Sequence, residues 1–254
     1  MKLDCVLTAV NENPLYLDFI PIFIKTWNKL YPSVDVKIIL IAEEIPNKFL
    51  DYKDNIILFK PIENVLTSFT SQIIRLFYPC ILNYENGVMI TDMDMLPMNK
   101  TYYTENIKQF DNSKFIYLRE NICSEINQLA MCYNVATTKV WSDIFSITST
   151  EDIKENIIKI SESNIIKEGH GNIGWSLDQL ILCKKVNDWN IRTKNFIRLK
   201  EKSTGFKRLD RIHKINIDNP KLQKMVTSGF FSDYHCLRPM KKYELINNKI
   251  YHLL

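Results

Sequence analysis

Short apolar runs alternate with segments of helical periodicity through the first hundred residues. Buried strands of a parallel sheet are near-continuous apolar runs, whereas apolar residues three and four apart mark one face of a helix. The first helix is expected after Asn13, with Pro14 in its first turn and a kink at Pro21. We predict strands at 3–10, 34–43, 55–59 and from Gly87, and helices at 13–31 and 70–82, the second interrupted by Pro79. This order is typical of βαβ units around a largely parallel sheet.

The pattern is less regular in the second half of the chain. Ser176 and Gln179 occupy the two positions of a capping box ahead of a helical segment. Strands are predicted at 114–118, 129–137 and 191–199, and helices at 138–145, 151–160, 176–186 and from Met240. No internal repeat and no linker rich in proline, glycine or serine interrupts the sequence, so a single domain over 1–254 is expected.

Composition and charge exclude several classes of protein. Apolar residues make up 46% of the 254 residues and charged residues 24%, which is typical of a globular protein and not of a disordered or fibrous one. Lysine and arginine exceed aspartate and glutamate by 33 − 29 = 4, too small an excess for a nucleic-acid-binding surface. We therefore expect no nucleic-acid partner.

The cysteines and the N-terminus predict an intracellular protein. The six cysteines are scattered without a C-x-x-C pair, as expected of reduced core residues. The apolar run at 3–10 is too short for a signal peptide or for a membrane span, which needs ~20 residues. Few glycines beside many Ile, Asn and Lys are typical of an AT-rich genome, such as that of a large virus or a low-GC microbe. We expect a cytoplasmic protein without a transmembrane segment, in the host cytoplasm if the source is viral.

Two aspartates, Asp92 and Asp94, follow the apolar run that begins at Gly87. In an extended backbone, residues two apart point to the same face, so the two carboxylates would lie side by side and repel each other. A divalent ion would relieve this repulsion, since Mg²⁺ and Mn²⁺ take oxygen ligands and commonly bridge protein carboxylates to substrate phosphates. The alternative is a polar turn before Pro97.

The sequence TDMDMLP after a strand, the preceding helix with Arg75, and the N-terminal strand ending in LTAVN together resemble the GT-A fold of nucleotide-sugar glycosyltransferases. In that family the D-x-D motif binds a divalent ion, usually Mn²⁺, which bridges the diphosphate of the donor, and the first aspartate often touches the ribose. The resemblance implies an α/β fold with a mostly parallel central sheet flanked by helices. It also implies a nucleotide-binding half at 1–98 and a less regular half for sugar and acceptor at 99–254.

A second match lies near the C-terminus, in the segment SDYHCLRPM. Glycogenin-like and galactosyltransferase-like members of the GT-A group often supply a third metal ligand from a histidine here, followed by a basic residue on the diphosphate. The resemblance therefore implies that His235 binds the metal with Asp92 and Asp94, and that Arg238 binds the diphosphate and assists catalysis. Arg75 is a further candidate for binding the diphosphate. The segment departs from the usual H-x-x-G-x-K-P-W pattern by lacking the glycine and the tryptophan and by its shorter spacing. The alternative is a half-buried histidine without a ligand.

Asp178 and Gln179 resemble the GT-A segment that faces the donor sugar and the acceptor. Asp178 would lie in the first turn of a helix, where the helix dipole stabilises a carboxylate and should lower its pKa. A lowered pKa suits a charge that contacts sugar hydroxyls better than it suits a general base. Asp178 nevertheless remains the candidate base if the reaction inverts the anomeric centre. An acidic residue at this place is also favourable without any chemistry.

The same resemblance implies positions for the rest of the donor. The uracil and ribose would lie at the end of the first strand, and the sugar at the end of a strand in the second half. The corresponding residues are Thr8, Ala9 and Asn11, and Tyr133 and Asn134. The alternatives are an ordinary strand-to-helix turn and core residues.

Half of the six glycines lie between 169 and 174. Gly169, Gly171 and Gly174 surround His170 and precede Trp175, which predicts a mobile loop over the site with Trp175 stacked on a sugar. His170 and Trp175 are accordingly candidates for binding the acceptor. A phosphate-binding P-loop is excluded because no G-K-[ST] follows.

These features predict a metal-dependent glycosyltransferase that moves a sugar from a nucleoside-diphosphate sugar, expected to be a UDP-hexose, to a hydroxyl of a glycan, glycoconjugate or protein. Mn²⁺ or Mg²⁺ is the expected cofactor. Retention of configuration is favoured because the histidine with its basic neighbour resembles retaining families. One alternative is a GT-A-like protein that binds sugar or nucleotide without turnover. Another is a haloacid-dehalogenase-like phosphatase, whose D-x-D lies on the first strand and is followed by Thr or Val where this chain has Leu96.

Overall fold

The computed structural model describes residues 1–120, 127–167, 169 and 171–254. The strands are β1 (Leu3–Asn11), β2 (Asp35–Ile41), β3 (Ile56–Phe59), β4 (Gly87–Ile90), β5 (Met95–Pro97), β6 (Phe115–Tyr117), β7 (Asn134–Thr137), β8 (Phe196–Arg198), β9 (Arg208–Asp210) and β10 (Asp233–His235). The helices are α1 (Ile20–Leu30), α2 (Thr67–Phe77), α3 (Tyr102–Glu105), α4 (Thr138–Phe145), α5 (Thr150–Glu162), α6 (Leu177–Thr193), α7 (Glu201–Thr204), α8 (Pro220–Thr227) and α9 (Met240–Leu253). Short 3₁₀ helices lie at Leu17–Phe19, Asn47–Asn55 and Tyr78–Ile81.

Seven strands form the central sheet in the order β3-β2-β1-β4-β7-β6-β8. The four strands of the first half run parallel to one another, and β6 is parallel to β8, whereas β7 is antiparallel to both of its neighbours. Every residue of β4 and β7 is buried, as expected for strands covered on both faces. The predicted α/β fold with a mostly parallel sheet is confirmed.

A second sheet of three short strands, in the order β5-β10-β9, lies at the end of β4. Strand β10 is antiparallel to β5 and parallel to β9. Its register places His235 beside Met95 on one side and Asp210 on the other. The small sheet therefore brings the C-terminal segment next to the D-x-D motif.

The first helix differs from the prediction at its proline, whereas the second is interrupted at Pro79 as predicted. The predicted helix at 13–31 begins only at Ile20, after the 3₁₀ turn, so Pro21 lies in the first helical turn instead of producing a kink. Helix α2 ends at Phe77, and Pro79 lies at the start of the following 3₁₀ turn. Both positions suit proline because the first turn of a helix needs no hydrogen bond from its N–H.

The second half differs more. The strand predicted at 129–137 begins only at Asn134. Of the strand predicted at 191–199, the first three residues belong to the end of α6, and the strand itself begins at Phe196. The predicted capping box is wrong, because the Ser176 side chain makes no capping bond to this fully described helix. Instead, the Gln179 N–H donates to Asp178 Oδ1 at 2.8 Å. The aspartate in the first turn takes the role predicted for the serine.

Within the described ranges, no helix is both long and apolar enough to cross a lipid bilayer.

Candidate active site

A cavity of about 670 Å³ lies at the carboxyl ends of β1 and β4. Its walls come from both of these strand ends, from α2 and the start of α6, and from the segments around β9 and β10. Ligands of open α/β sheets bind at this edge. The predicted site residues that line the cavity are Ala9, Asn11, Arg75, Asp92, Asp94, Trp175, Asp178, Gln179, His235 and Arg238.

Three predicted residues are absent from the described lining of the cavity, namely Thr8, Tyr133 and Asn134. Thr8 is fully buried in β1, and the cavity begins at the next residue, Ala9. The Tyr133 hydroxyl donates to the buried Asp233, and Asn134 Nδ2 donates to the Ala130 carbonyl at 2.8 Å. Tyr133 and Asn134 therefore support the wall at 130–132 from behind. The predicted acceptor residue His170 lies outside the described residues.

Arg75 connects the first aspartate of the motif to α6. Its guanidinium pairs with Asp92, and its Nη2 lies 3.1 Å from Asp178 Oδ2. Gln72, one helical turn earlier on α2, donates from Nε2 to Asp178 Oδ1 at 3.1 Å and to the Trp175 carbonyl at 2.6 Å. The two side chains of α2 thus hold the start of α6 against the cavity.

Asp178 is only 2% exposed. Burial raises the pKa of its carboxyl to about 6, in spite of the nearby guanidinium of Arg75 and the hydrogen bond from Gln72. The predicted lowering of this pKa by the helix dipole is therefore wrong, because the loss of hydration outweighs the favourable charges.

Asp94 lies at the centre of a second group of charges. The Arg211 guanidinium pairs with its Oδ2, while Arg238 Nη1 lies 3.5 Å and His235 Nε2 3.7 Å from the same oxygen. Arg238 also donates to the hydroxyl of Tyr16, and its guanidinium lies 5.0 Å from the centre of that ring. Two guanidinium groups thus face the carboxylate of Asp94.

The two aspartates do not share one face of a strand. Strand β4 ends at Ile90, and the Asp92 backbone carbonyl accepts a bond from the Met95 N–H at 3.2 Å in the turn that contains both aspartates. Asp92 consequently pairs with α2 and Asp94 with the C-terminal segment. Each carboxylate is neutralised by an arginine, and the sequence did not predict these ion pairs as an alternative to a metal ion.

Among the residues that the structure describes, no three carboxylate, imidazole or thiol side chains are grouped closely enough to form a metal site by themselves. Of the three predicted ligands, Asp94 and His235 lie close to each other, with 3.7 Å between Asp94 Oδ2 and His235 Nε2. Burial lowers the pKa of His235, which favours the neutral imidazole that can bind a metal. Its Nδ1 lies 3.2 Å from Asp210 Oδ1.

Sequence reasoning missed several residues of the cavity and its surroundings: Tyr16, Gln72, Asp210 and Arg211. Gln72 could have been found, because it lies three residues before Arg75 and so shares a face of the same helix. Arg211 is 117 residues from Asp94, and nothing in the local pattern predicted the short strand β9 that positions it.

No protein-family model matches the sequence, and no curated protein matches it. Among solved structures, the chain is similar to the galactosyltransferase LgtC in complex with donor and acceptor sugar analogs, with a TM-score of 0.52 and 10% identity over 98% of this chain and 96% of that one. It is also similar to the glycosyltransferase GlyE of Streptococcus pneumoniae TIGR4, with a TM-score of 0.49 and 14% identity over 99% of this chain and 62% of that one. At such low identity the likeness to LgtC shows the fold and not the activity. The chain has the GT-A fold of the nucleotide-sugar glycosyltransferases.

Proposed function

We propose that the protein is a glycosyltransferase that moves a sugar from a nucleoside-diphosphate sugar, a UDP-hexose, to a hydroxyl of a glycan, glycoconjugate or protein. The observation that carries the proposal is the meeting of Asp94 with His235 and Arg238 in the cavity of a GT-A fold, across more than a hundred residues of sequence. The solved LgtC structure contains donor and acceptor sugar analogs, which supports a sugar substrate for this chain.

A divalent ion fits part of the site. Two donors on one ion, each about 2.1 Å away, lie about 3 to 3.6 Å apart, close to the 3.7 Å between Asp94 Oδ2 and His235 Nε2. Asp92 lines the same cavity and could supply further oxygen ligands. An imidazole in the donor set favours Mn²⁺ over Mg²⁺, which prefers oxygen. When bound, the ion would neutralise negative charge on the diphosphate as it leaves.

Arg211 and Arg238 suit the diphosphate itself. Both guanidinium groups are directed at Asp94, and both arginines line the cavity. Guanidinium groups form paired hydrogen bonds with phosphate oxygens, and in a partly buried cavity these bonds stabilise charge that develops on a leaving group. In this proposal the two arginines bind the diphosphate and lower the barrier to its departure.

Asp178 is better placed to organise the site than to remove a proton. A general base must reach the acceptor hydroxyl, but the carboxylate of Asp178 already accepts bonds from Arg75 and Gln72. This arrangement favours retention of configuration, for which a base in this position is not required. Asp178 would hold Arg75, and through it Asp92, beside the donor sugar, with Gln179 next to it.

The contacts predicted for the nucleoside and the acceptor are part of the proposal. Ala9 and Asn11 line the cavity at the end of β1, where the uracil and ribose would bind. Asn11 Nδ2 donates to Thr67 Oγ1 at 3.1 Å, which fixes the orientation of its amide. Trp175, which is 37% exposed, and His170 are proposed to contact the acceptor.

The two alternatives differ in their support. A phosphatase of the haloacid-dehalogenase type is disfavoured because the D-x-D follows β4 and not the first strand of the sheet. A silent binding protein with the GT-A fold would keep the cavity and lack turnover. Only an assay of turnover separates it from an enzyme.

The test is the release of nucleoside diphosphate from a panel of UDP- and GDP-sugars with Mn²⁺. We expect release from at least one donor, and we expect Asp94→Ala to abolish it. Asp188→Ala, which removes an exposed carboxylate from α6, is the matched control and should keep full activity. Release from no donor, with a protein that is otherwise folded, would refute the enzyme.

A further inference from the structure

The imidazole of His235 lies between two carboxylates. Its Nε2 faces Asp94 Oδ2 at 3.7 Å, and its Nδ1 faces Asp210 Oδ1 at 3.2 Å. Only the first of these carboxylates belongs to the D-x-D motif. Asp210 is not among the residues that line the cavity in the described structure, so its contact with the site passes through the histidine ring.

The fold fixes Asp210 in this place before any ligand binds. Strands β9 and β10 run parallel, and their register puts Asp210 directly beside His235. Asp210 Oδ1 also accepts a bond from the Ile212 N–H at 3.1 Å in the turn that follows β9. Backbone pairing on one side and this turn on the other restrict the carboxylate to the far edge of the imidazole ring.

The contact determines which ring nitrogen carries the proton. A histidine that binds a metal ion is neutral and carries a single ring proton. Both carboxylates can accept this proton, but only Asp210 Oδ1, 3.2 Å from Nδ1, lies within hydrogen-bond distance, whereas Asp94 Oδ2 lies 3.7 Å from Nε2. The geometry therefore favours the proton on Nδ1. The lone pair of Nε2 is then directed towards Asp94. A nitrogen lone pair and a carboxylate oxygen repel each other when nothing lies between them. A cation bound by both atoms removes this repulsion.

We propose that Asp210 is a positioning residue, which fixes the tautomer and the orientation of His235 and so strengthens the binding of a divalent ion by His235 and Asp94. The inference rests on the proposed function, because it requires that an ion binds there. Histidines that ligate metals generally donate their other N–H to such a partner, and loss of the partner typically weakens metal binding by about 10- to 100-fold.

A simpler role for Asp210 is to cap its own turn. The two roles make different predictions, because a turn cap would affect stability without changing the His235 ring or its affinity for a metal. The Asn variant separates them further. Asp210→Asn keeps an oxygen that can accept from both Nδ1–H and the Ile212 N–H, whereas Asp210→Ala removes both bonds.

The experiment combines two measurements on the full chain. Nitrogen-15 NMR of the metal-free protein reports the tautomer of His235, which is assigned among the four histidines by its absence in His235→Gln. Electron paramagnetic resonance of free Mn²⁺ in the presence of UDP reports metal affinity. The variants are Asp210→Ala, Asp210→Asn and, as a control, Asp218→Asn, whose exposed carboxylate pairs with Lys249 away from the ring.

We expect the Nδ1–H tautomer of His235 in the parent, in Asp210→Asn and in Asp218→Asn. In Asp210→Ala we expect that His235 is no longer in this single tautomer. Mn²⁺ affinity should fall about 10- to 100-fold in Asp210→Ala, less in Asp210→Asn, and not at all in Asp218→Asn. A parent with the Nε2–H tautomer, or an Asp210→Ala variant that binds Mn²⁺ like the parent, would overturn the inference and leave the proposed function standing. A parent that binds neither Mn²⁺ nor UDP would overturn both.

Discussion

Replacing Asp178 by asparagine should make the protein more stable at neutral pH. Asparagine has the shape of the protonated acid and, like that acid, presents one donor group and one acceptor group to the donors of Arg75, Gln72 and the Gln179 N–H, so the variant represents the parent with the charge removed. The carboxyl has a pKa of about 6 in the folded protein and an ordinary value of 3.8 in the unfolded chain. Since one pKa unit corresponds to about 1.4 kcal/mol, ionising Asp178 costs the folded state about 3 kcal/mol more than the unfolded state.

The sign and the pH window follow from these two values. Well below the unfolded value of 3.8 the acid is protonated in both states and costs nothing. As the pH rises, the unfolded chain releases its proton before the folded protein does, so the parent loses stability until the pH has passed the folded value of about 6. The advantage of Asp178→Asn should therefore be about 1 kcal/mol near pH ~4.5 and about 3 kcal/mol near pH ~7.5.

Urea unfolding of the parent and the variant across this pH range measures the difference. Asp188→Asn, on the exposed side of the same helix, controls for the loss of a charge and should stay within about 0.5 kcal/mol of the parent throughout. An Asp178→Asn variant that is less stable than the parent at neutral pH would refute the reasoning. So would an advantage that does not grow with pH.

Three further substitutions test the interactions around the cavity. Arg75→Met leaves the buried Asp178 without its cation and should lower the free energy of unfolding, measured in urea, by about 3 to 5 kcal/mol. The control Arg192→Met, at an exposed position, should lower it little. Equal losses in the two variants would show that the buried pair is not formed. Gln72→Ala removes the donor to the Trp175 carbonyl and should lower the free energy of unfolding by about 1 to 3 kcal/mol. Amide hydrogen exchange at the start of α6 should become faster, and unchanged exchange would contradict the contact. Trp175→Ala should raise the KM for the acceptor without changing hydrolysis of the donor, and an unchanged acceptor KM would exclude Trp175 from the acceptor site.

The parallel half of the fold could be predicted because its signals are local. Each of its strands is a continuous apolar run, and the D-x-D that ends the run from Gly87 lies where an open α/β sheet binds ligands. The sequence pattern also indicated His235 and Arg238 through their resemblance to GT-A enzymes, and both line the cavity. What these positions have in common is that neighbouring residues suffice to recognise them.

The partners of the two aspartates could not be predicted in the same way. Arg211 reaches Asp94 only because β9 and β10 pair, and strands of three residues leave no periodicity to detect. The shift in the pKa of Asp178 was predicted in the wrong direction. The sequence shows that Asp178 lies in the first turn of a helix, but it does not show that Gln72 and Arg75 bury the carboxylate. Long-range pairing and desolvation therefore account for most of what sequence reasoning missed in the site.

Calorimetric titration of UDP into the protein, with Mn²⁺ or with a chelator, tests the central claim most directly because it requires no knowledge of the sugar or the acceptor. We predict that UDP binds more tightly with Mn²⁺ than with the chelator, and that Asp94→Ala loses this difference while Asp188→Ala keeps it. Equal UDP binding with and without Mn²⁺ would contradict the proposed metal at Asp94 and His235. Absence of UDP binding under both conditions would contradict a nucleotide-sugar site in this cavity.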